Sequence, residues 1–212
     1  VSVNAKGQGK GLWAERGDTF FTRSSSLLGR LIRWGETEKG ETNGTWANHT
    51  GVVVESGWLV PPEMPVYEEP VKLAVIVEAM GHVQKGTWWG FHAKDYAKGM
   101  RIRVFSPVPS YTEEEKQRFV TFANVGIGQR YGWWKLFGFL AKRVTGINVP
   151  KIFFVKSRPV CSIYAALANE EARKRGTLIQ KDPWPGFGMS PQAADPDEML
   201  DFCEANRFWS ER

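Results

Sequence analysis

This chain has few of the residues that usually anchor a metal or a disulfide framework. Among 212 residues there are two cysteines and three histidines. Two cysteines cannot build a disulfide scaffold, and the His and Cys spacing matches no zinc motif. No apolar run approaches the roughly 18–20 residues needed to cross a bilayer. No signal peptide is visible in the stretch that begins at Val1, and the pattern assigns no compartment. There is no internal repeat and no low-complexity segment. Charge is nearly balanced: 28 Lys and Arg against 23 Asp and Glu leave a net +5. Solubility explains that excess as well as an acidic partner does.

What the chain does have is aromatic mass. Ten tryptophans are costly to leave in water, so a broad aromatic core or an aromatic-walled cleft is expected. The length suits one domain with a substantial core. Residues 1–16, rich in Gly, Lys and Asn at their start, are expected to form a surface segment ahead of one domain over 17–212.

The first half reads mainly as strands. Gly17-Asp18-Thr19-Phe20-Phe21-Thr22 is a turn entering a short strand. Trp46–Glu55, with Val52-Val53-Val54, and Leu73–Ala79 read as buried strands. Met100–Phe105 alternates apolar residues with Arg101 and Arg103, a half-exposed strand. Ser25–Trp34 has helical spacing. Gly35–Gly44 and the proline-rich Pro61–Pro70 read as loop and insertion.

The second half reads mainly as helices. Thr112-Glu113-Glu114-Glu115 fits a capping box ahead of apolar residues at helical spacing. Trp133–Val144, Cys161–Arg175 and Pro196–Asn206 are further helix candidates. Strands followed by helices predict an α+β fold with an antiparallel sheet.

Cys161 is the residue that raises the question of chemistry. Pro159 marks a helix entry, Cys161 falls on the first turn, Arg173–Arg175 complement the negative end and Gly176 suits a left-handed cap. A thiol there faces unpaired backbone N–H groups and the positive end of the dipole, and both favour the nucleophilic thiolate. Burial as a small apolar residue is the commoner fate of a lone cysteine. A bridge from Cys161 to Cys203 would abolish any nucleophile.

A thiol nucleophile needs a base. His49 opens a strand in Asn48-His49-Thr50-Gly51-Val52, where a sheet end would hold it rigidly, and imidazole titrates near neutral pH. His82 and His92 fall in segments with loop character. The base in turn needs an orienting group. Antiparallel pairing of His49 with Glu78 sets Val52 against Val75 and superimposes the two apolar runs. A carboxylate at position 78 would then accept the imidazole N–H. Glu55, six residues along the same strand from His49, is about 20 Å away at about 3.3 Å per residue, which is too far.

The order His, Glu, Cys, carried by Gly17-Asp18-Thr19, Asn48-His49-Thr50-Gly51, Val77-Glu78-Ala79 and Val160-Cys161-Ser162, resembles the circularly permuted NlpC/P60 papain-like group. Within it the chain looks like the YiiX-like branch, relatives of lecithin:retinol acyltransferase. Tyr131, Trp133-Trp134 and Ser190-Pro191 also sit where that branch has similar elements. The resemblance spans about residues 17 to 200. It implies a papain-like sheet or barrel packed against helices, with Cys161 as nucleophile, His49 as base and Glu78 as orienting group. It implies no cofactor and no metal. An oxyanion would be held by the Cys161 backbone N–H and a second donor. The group often uses a tyrosine before the reactive centre; Thr19-Phe20-Phe21 has none, and Tyr131 is the candidate. Trp133, Trp134 and Asn48 are candidates for the substrate cleft.

The activity implied is a cysteine hydrolase that cuts an amide, in a peptide or a cell-wall peptide. Lipid acyl transfer or ester cleavage by the same Cys–His pair is the alternative, and a non-catalytic binding module is the third reading. Residues 131–158 carry Lys135, Lys142, Arg143, Lys151, Lys156 and Arg158 among aromatics and no acidic residue. Packing on the sheet with the cations in water ranks first, ahead of contact with a membrane surface or an acidic substrate. No motif supports nucleic-acid binding.

Overall fold

Alternating apolar residues and tight turns build a six-stranded sheet whose two faces are both covered. In this computed structural model the described residues are 11–24, 46–62, 70–130, 160–175, 178–179, 187 and 195–212. The sheet consists of β2 (Thr19–Arg23), β3 (His49–Glu55), β5 (Val75–Met80), β6 (His82–Thr87), β7 (Arg101–Pro107) and β10 (Trp209–Glu211). Their spatial order is β10-β7-β2-β3-β5-β6, and every neighbouring pair is antiparallel. β1 (Leu12–Ala14) and β4 (Gly57–Val60) pair as a two-stranded ribbon separate from the strand order of the sheet. A short pair, β8 (Lys174–Arg175) and β9 (Leu178–Ile179), follows the third helix.

The helices are α1 (Trp88–Ala97), α2 (Glu113–Val125), α3 (Cys161–Arg173) and α4 (Pro196–Ala205). Side chains alternate across a strand, so each face of the sheet has its own core. On one face Phe21, Val52, Val54, Val77 and Phe105 pack with Phe119 of α2, Ala165 and Ala168 of α3, and Met199 and Leu200 of α4. On the other, Phe20, Val53, Ile76, Ile102 and Val104 pack with Leu12, Leu59 and Trp88 from the ribbon and α1. Burial on both sides explains why β3 carries the unbroken run Val52-Val53-Val54 instead of an alternating pattern.

The antiparallel α+β architecture agrees with the sequence reading. Several boundaries do not. Leu12 and Ala14, within the expected surface segment 1–16, are buried in β1; a three-residue strand beside glycine and lysine leaves almost no periodicity to read. The helix from Cys161 ends at Arg173, because Lys174–Arg175 turn into β8. The helix candidates 25–34 and 133–144, the 190–191 turn, Gly176 and most of the proline-rich insertion lie outside the described residues.

Local chemistry sets the helix starts. Thr112 and Glu115 form both bonds of the capping box. Asp195 caps α4 by accepting from the backbone N–H groups of Asp197 and Glu198. Helix α3 lies close on the sheet because Ala165, Ala168 and Ala172 bring little bulk to the contact. Its Asn169 Nδ2 donates to Thr19 Oγ1 on β2 at 3.1 Å. Tyr111 Oη donates to Asn169 Oδ1 at 2.7 Å, and Arg118 covers the Ala172 carbonyl near the helix end.

Candidate functional site

His49 is the first residue of β3, and three sets of hydrogen bonds place it. Asp197 Oδ1, in the first turn of α4, accepts from the backbone N–H groups of Trp46 and Ala47 at 2.7 and 3.0 Å. The Asn48 backbone N–H donates to the Thr22 carbonyl. The Asn48 side chain accepts from Ser24 N and donates to Ser24 O, both at 3.1 Å. The amide of Asn48, a candidate for the substrate cleft, clamps the ends of β2 and β3 together.

Glu78 lies on β5 and is fully buried. The register differs from the expected one: Glu78 pairs with Gly51, not His49, and Val52 pairs with Val77, not Val75. The shift is two residues, so the same side chains keep the same face. The apolar match alone could not separate the two registers, because strand side chains repeat every two residues. Glycine decides it. A Cβ on Gly51 would lie 2.5 Å from Phe20 Cζ and 3.0 Å from Glu78 Cβ. Without one, Phe20 and Glu78 fill the space over Gly51. Glu78 then reaches His49 diagonally: His49 Nε2 and Glu78 Oε2 are 2.8 Å apart.

Two further groups meet the same carboxylate. Gln84, directly opposite on β6, donates from Nε2 to Glu78 Oε1 at 2.9 Å. His92 Nε2 approaches Glu78 Oε2 at 2.9 Å. His92 does not lie in a loop. It is buried on α1, its ring tilted against Trp88 with centroids 5.1 Å apart. The clue in the sequence was Thr87 as a cap with Trp88, His92 and Tyr96 at four-residue intervals, one helical face. Gly90 and the paired tryptophans weakened it.

Cys161 is the first residue of α3 and is buried with the core on the helical side of the sheet. Its cap residue, Val160, supplies no side-chain hydrogen bond to the first turn. The thiol acts directly on His49. Burial disfavours a charged ring, yet the Cys161 sulfur and then the Glu78 carboxylate overcome that and hold the His49 proton up to about 10. With Nε2 turned to Glu78, Nδ1 is the nitrogen left for the sulfur. For Glu78, burial opposes ionisation, but the bonds to His49 and His92 keep its carboxyl well below the usual carboxylate range. Cys161 and Cys203 are not bridged. Cys203 is enclosed in α4, where burial pushes its thiol well up.

The remaining candidates divide cleanly. Glu55 is exposed and pairs with Lys85 at 3.3 Å, away from the cluster. His82 is exposed at the start of β6. Tyr131, Trp133, Trp134 and the basic aromatic stretch 131–158 lie outside the described residues. Among the described residues no helix is long and apolar enough to cross a membrane. No metal motif is legible in the sequence, but the fold gathers three metal-ligating side chains: the donor atoms of His49, Glu78 and His92 all lie within 4.8 Å of one another.

No family model matches the chain, and no curated protein matches it. A solved structure that it resembles is the metalloprotein yiiX of Escherichia coli O157:H7, a DUF1105 protein. The two share 18% sequence identity with a TM-score of 0.38 over 64% of this chain and 68% of that one.

Proposed function

We propose that this protein is a cysteine hydrolase of the papain-like, permuted NlpC/P60 type, which cleaves an amide bond through a thioester acyl-enzyme. The observation that carries the reading is the His49 ring, which links a thiol at a helix start to a buried carboxylate. Cys161 is the nucleophile, His49 the base and Glu78 the orienting group. The carboxylate keeps a proton on Nε2, which presents Nδ1 to the thiol.

The chemistry follows from those roles. The Cys161 thiol gives its proton to His49 Nδ1, and Sγ attacks the carbonyl carbon. The oxyanion that forms is met by the backbone N–H at the start of α3, where the cap residue Val160 contributes no side-chain bond. Collapse breaks the C–N bond, the leaving amine takes the proton from His49, and a thioester remains. Water then attacks the thioester and yields its proton to His49. The acid departs and the thiol is restored. An ester or lipid acyl group would pass through the same thioester, so the acyl donor is identified by experiment.

The test is intact-protein mass spectrometry after incubation with peptidoglycan fragments, peptides and lipid acyl donors. The expected result is an acyl adduct mapped to Cys161, absent from Cys161→Ala and His49→Ala. Full turnover of a proven substrate by Cys161→Ala would defeat the proposal. An adduct from lipids alone would make the protein an acyltransferase or esterase.

A further inference from the structure

The Glu78 cluster contains one histidine more than a cysteine hydrolase needs. Glu78 Oε2 faces Nε2 of both His49 and His92, while Oε1 is held by Gln84. The carboxylate can only accept, so both rings must carry a proton on Nε2 in this arrangement. The donors come from three separate rigid elements: His49 from β3, Glu78 from β5 and His92 from α1. Two imidazoles and one carboxylate form a donor set suited to zinc, with positions left open for other ligands.

The spacing suits an ion as well as a hydrogen bond. Ligands bound to zinc at about 2.0–2.2 Å stand about 3.0–3.4 Å from one another at octahedral to tetrahedral angles. The observed His49–Glu78 and His92–Glu78 separations are 2.8 and 2.9 Å. All three donor atoms lie within 4.8 Å of one another, so modest side-chain adjustments bring them onto a common ion. Gln84 is already in place as the outer partner that fixes a ligating carboxylate.

We infer that His49 Nε2, His92 Nε2 and a Glu78 carboxylate oxygen form a binding site for a divalent zinc-class cation, which switches the Cys161–His49 pair off. The switching part rests on the hydrolase reading; the binding part does not. Binding removes the Nε2 proton from each ring, to Nδ1 or to solvent. A neutral His49 then carries its one proton on Nδ1, facing Cys161. It cannot take the thiol's proton, and giving its own to a leaving group would leave an imidazolate. Cys161 is not among the three clustered donors.

The test is zinc binding to metal-stripped protein, followed by competition with a chromophoric chelator. One equivalent should bind. Affinity should fall by at least about 100-fold in His92→Gln and by about 10–100-fold in Gln84→Ala, a loss typical of an outer-shell partner. Cys161→Ala should bind at least as tightly as the unmodified protein. Should His92→Gln fold poorly, Co2+ in the unaltered protein provides a second measurement. Its visible spectrum should report nitrogen and oxygen donors without a thiolate charge-transfer band. A thiolate band, loss of binding in Cys161→Ala, undiminished affinity in folded His92→Gln, or no bound equivalent would each overturn the site. Bound zinc should also suppress Cys161 acylation until a chelator removes it. Zinc binding at these ligands without any acyl adduct in metal-free protein would sink the hydrolase reading and leave the site standing. An adduct with no zinc binding would do the reverse.

Discussion

Gly51→Ala should damage both the core and the candidate site, although it adds one methyl group. The new Cβ would lie 2.5 Å from Phe20 Cζ, 2.7 Å from Phe20 Cε1 and 3.0 Å from Glu78 Cβ. Phe20 and Glu78 are both fully buried, so neither can swing into solvent. Gly51 does not sit at positive φ, so the penalty comes from space and not from backbone strain. Forcing a methyl into a packed core costs about 1–3 kcal/mol. For a chain of this size that corresponds to a fall in Tm of roughly 2–12 °C. Urea denaturation of the wild type and Gly51→Ala measures it. The decisive comparison adds Phe20→Leu, which removes the ring atoms that the methyl meets. The double variant should recover at least about 1 kcal/mol relative to the sum of the singles. Stability of Gly51→Ala within about 0.5 kcal/mol of wild type, or strict additivity in the cycle, would refute the packing reasoning.

Three other outcomes are expected. Iodoacetamide near neutral pH should label Cys161 and spare Cys203, whose thiol is pushed up by burial, and His49→Ala should slow the labelling; equal labelling in a peptide map would contradict this. Burial raises the Asp195 carboxyl to about 6, so the folded state holds that proton longer than the unfolded chain. Its contribution to stability is greatest below about pH 4 and falls as pH rises to about 6. Asp195→Asn should therefore gain stability relative to wild type between pH 4 and 7, by at most about 3 kcal/mol; a constant difference in urea titrations would exclude it. Arg103 clasps Glu211 through two bonds of 2.7 Å and also pairs with Glu204. Arg103→Lys cannot reproduce that fork and should cost about 2 kcal/mol, with faster proteolysis of the terminal strand; unchanged digestion would argue against the clasp.

Much of the fold was legible because its causes are local. The capping box at Thr112 needs only residues three apart, and β3 and β5 carry their burial in their composition. The start of α3 follows from the change in texture after Pro159. Cys161, His49 and Glu78 could be picked out by residue type and position within their elements. The register could not, because a two-residue slip buries the same side chains. His92 was obscured by glycine and tryptophan around a short helix, and β1 by its brevity.

By itself, then, the sequence determined an antiparallel α+β chain with a cysteine at a helix start, a histidine at a strand start and an acid on a neighbouring strand. Those assignments rest on propensity, capping and period, which act over a few residues. Only the tertiary structure decided that the Glu78 carboxylate reaches His49 across Gly51, that His92 joins from α1, and that Cys161 acts on the same imidazole. Each of those contacts joins groups far apart along the chain. Steric exclusion and the pairing of buried polar atoms select them, and neither operates until the layers are packed.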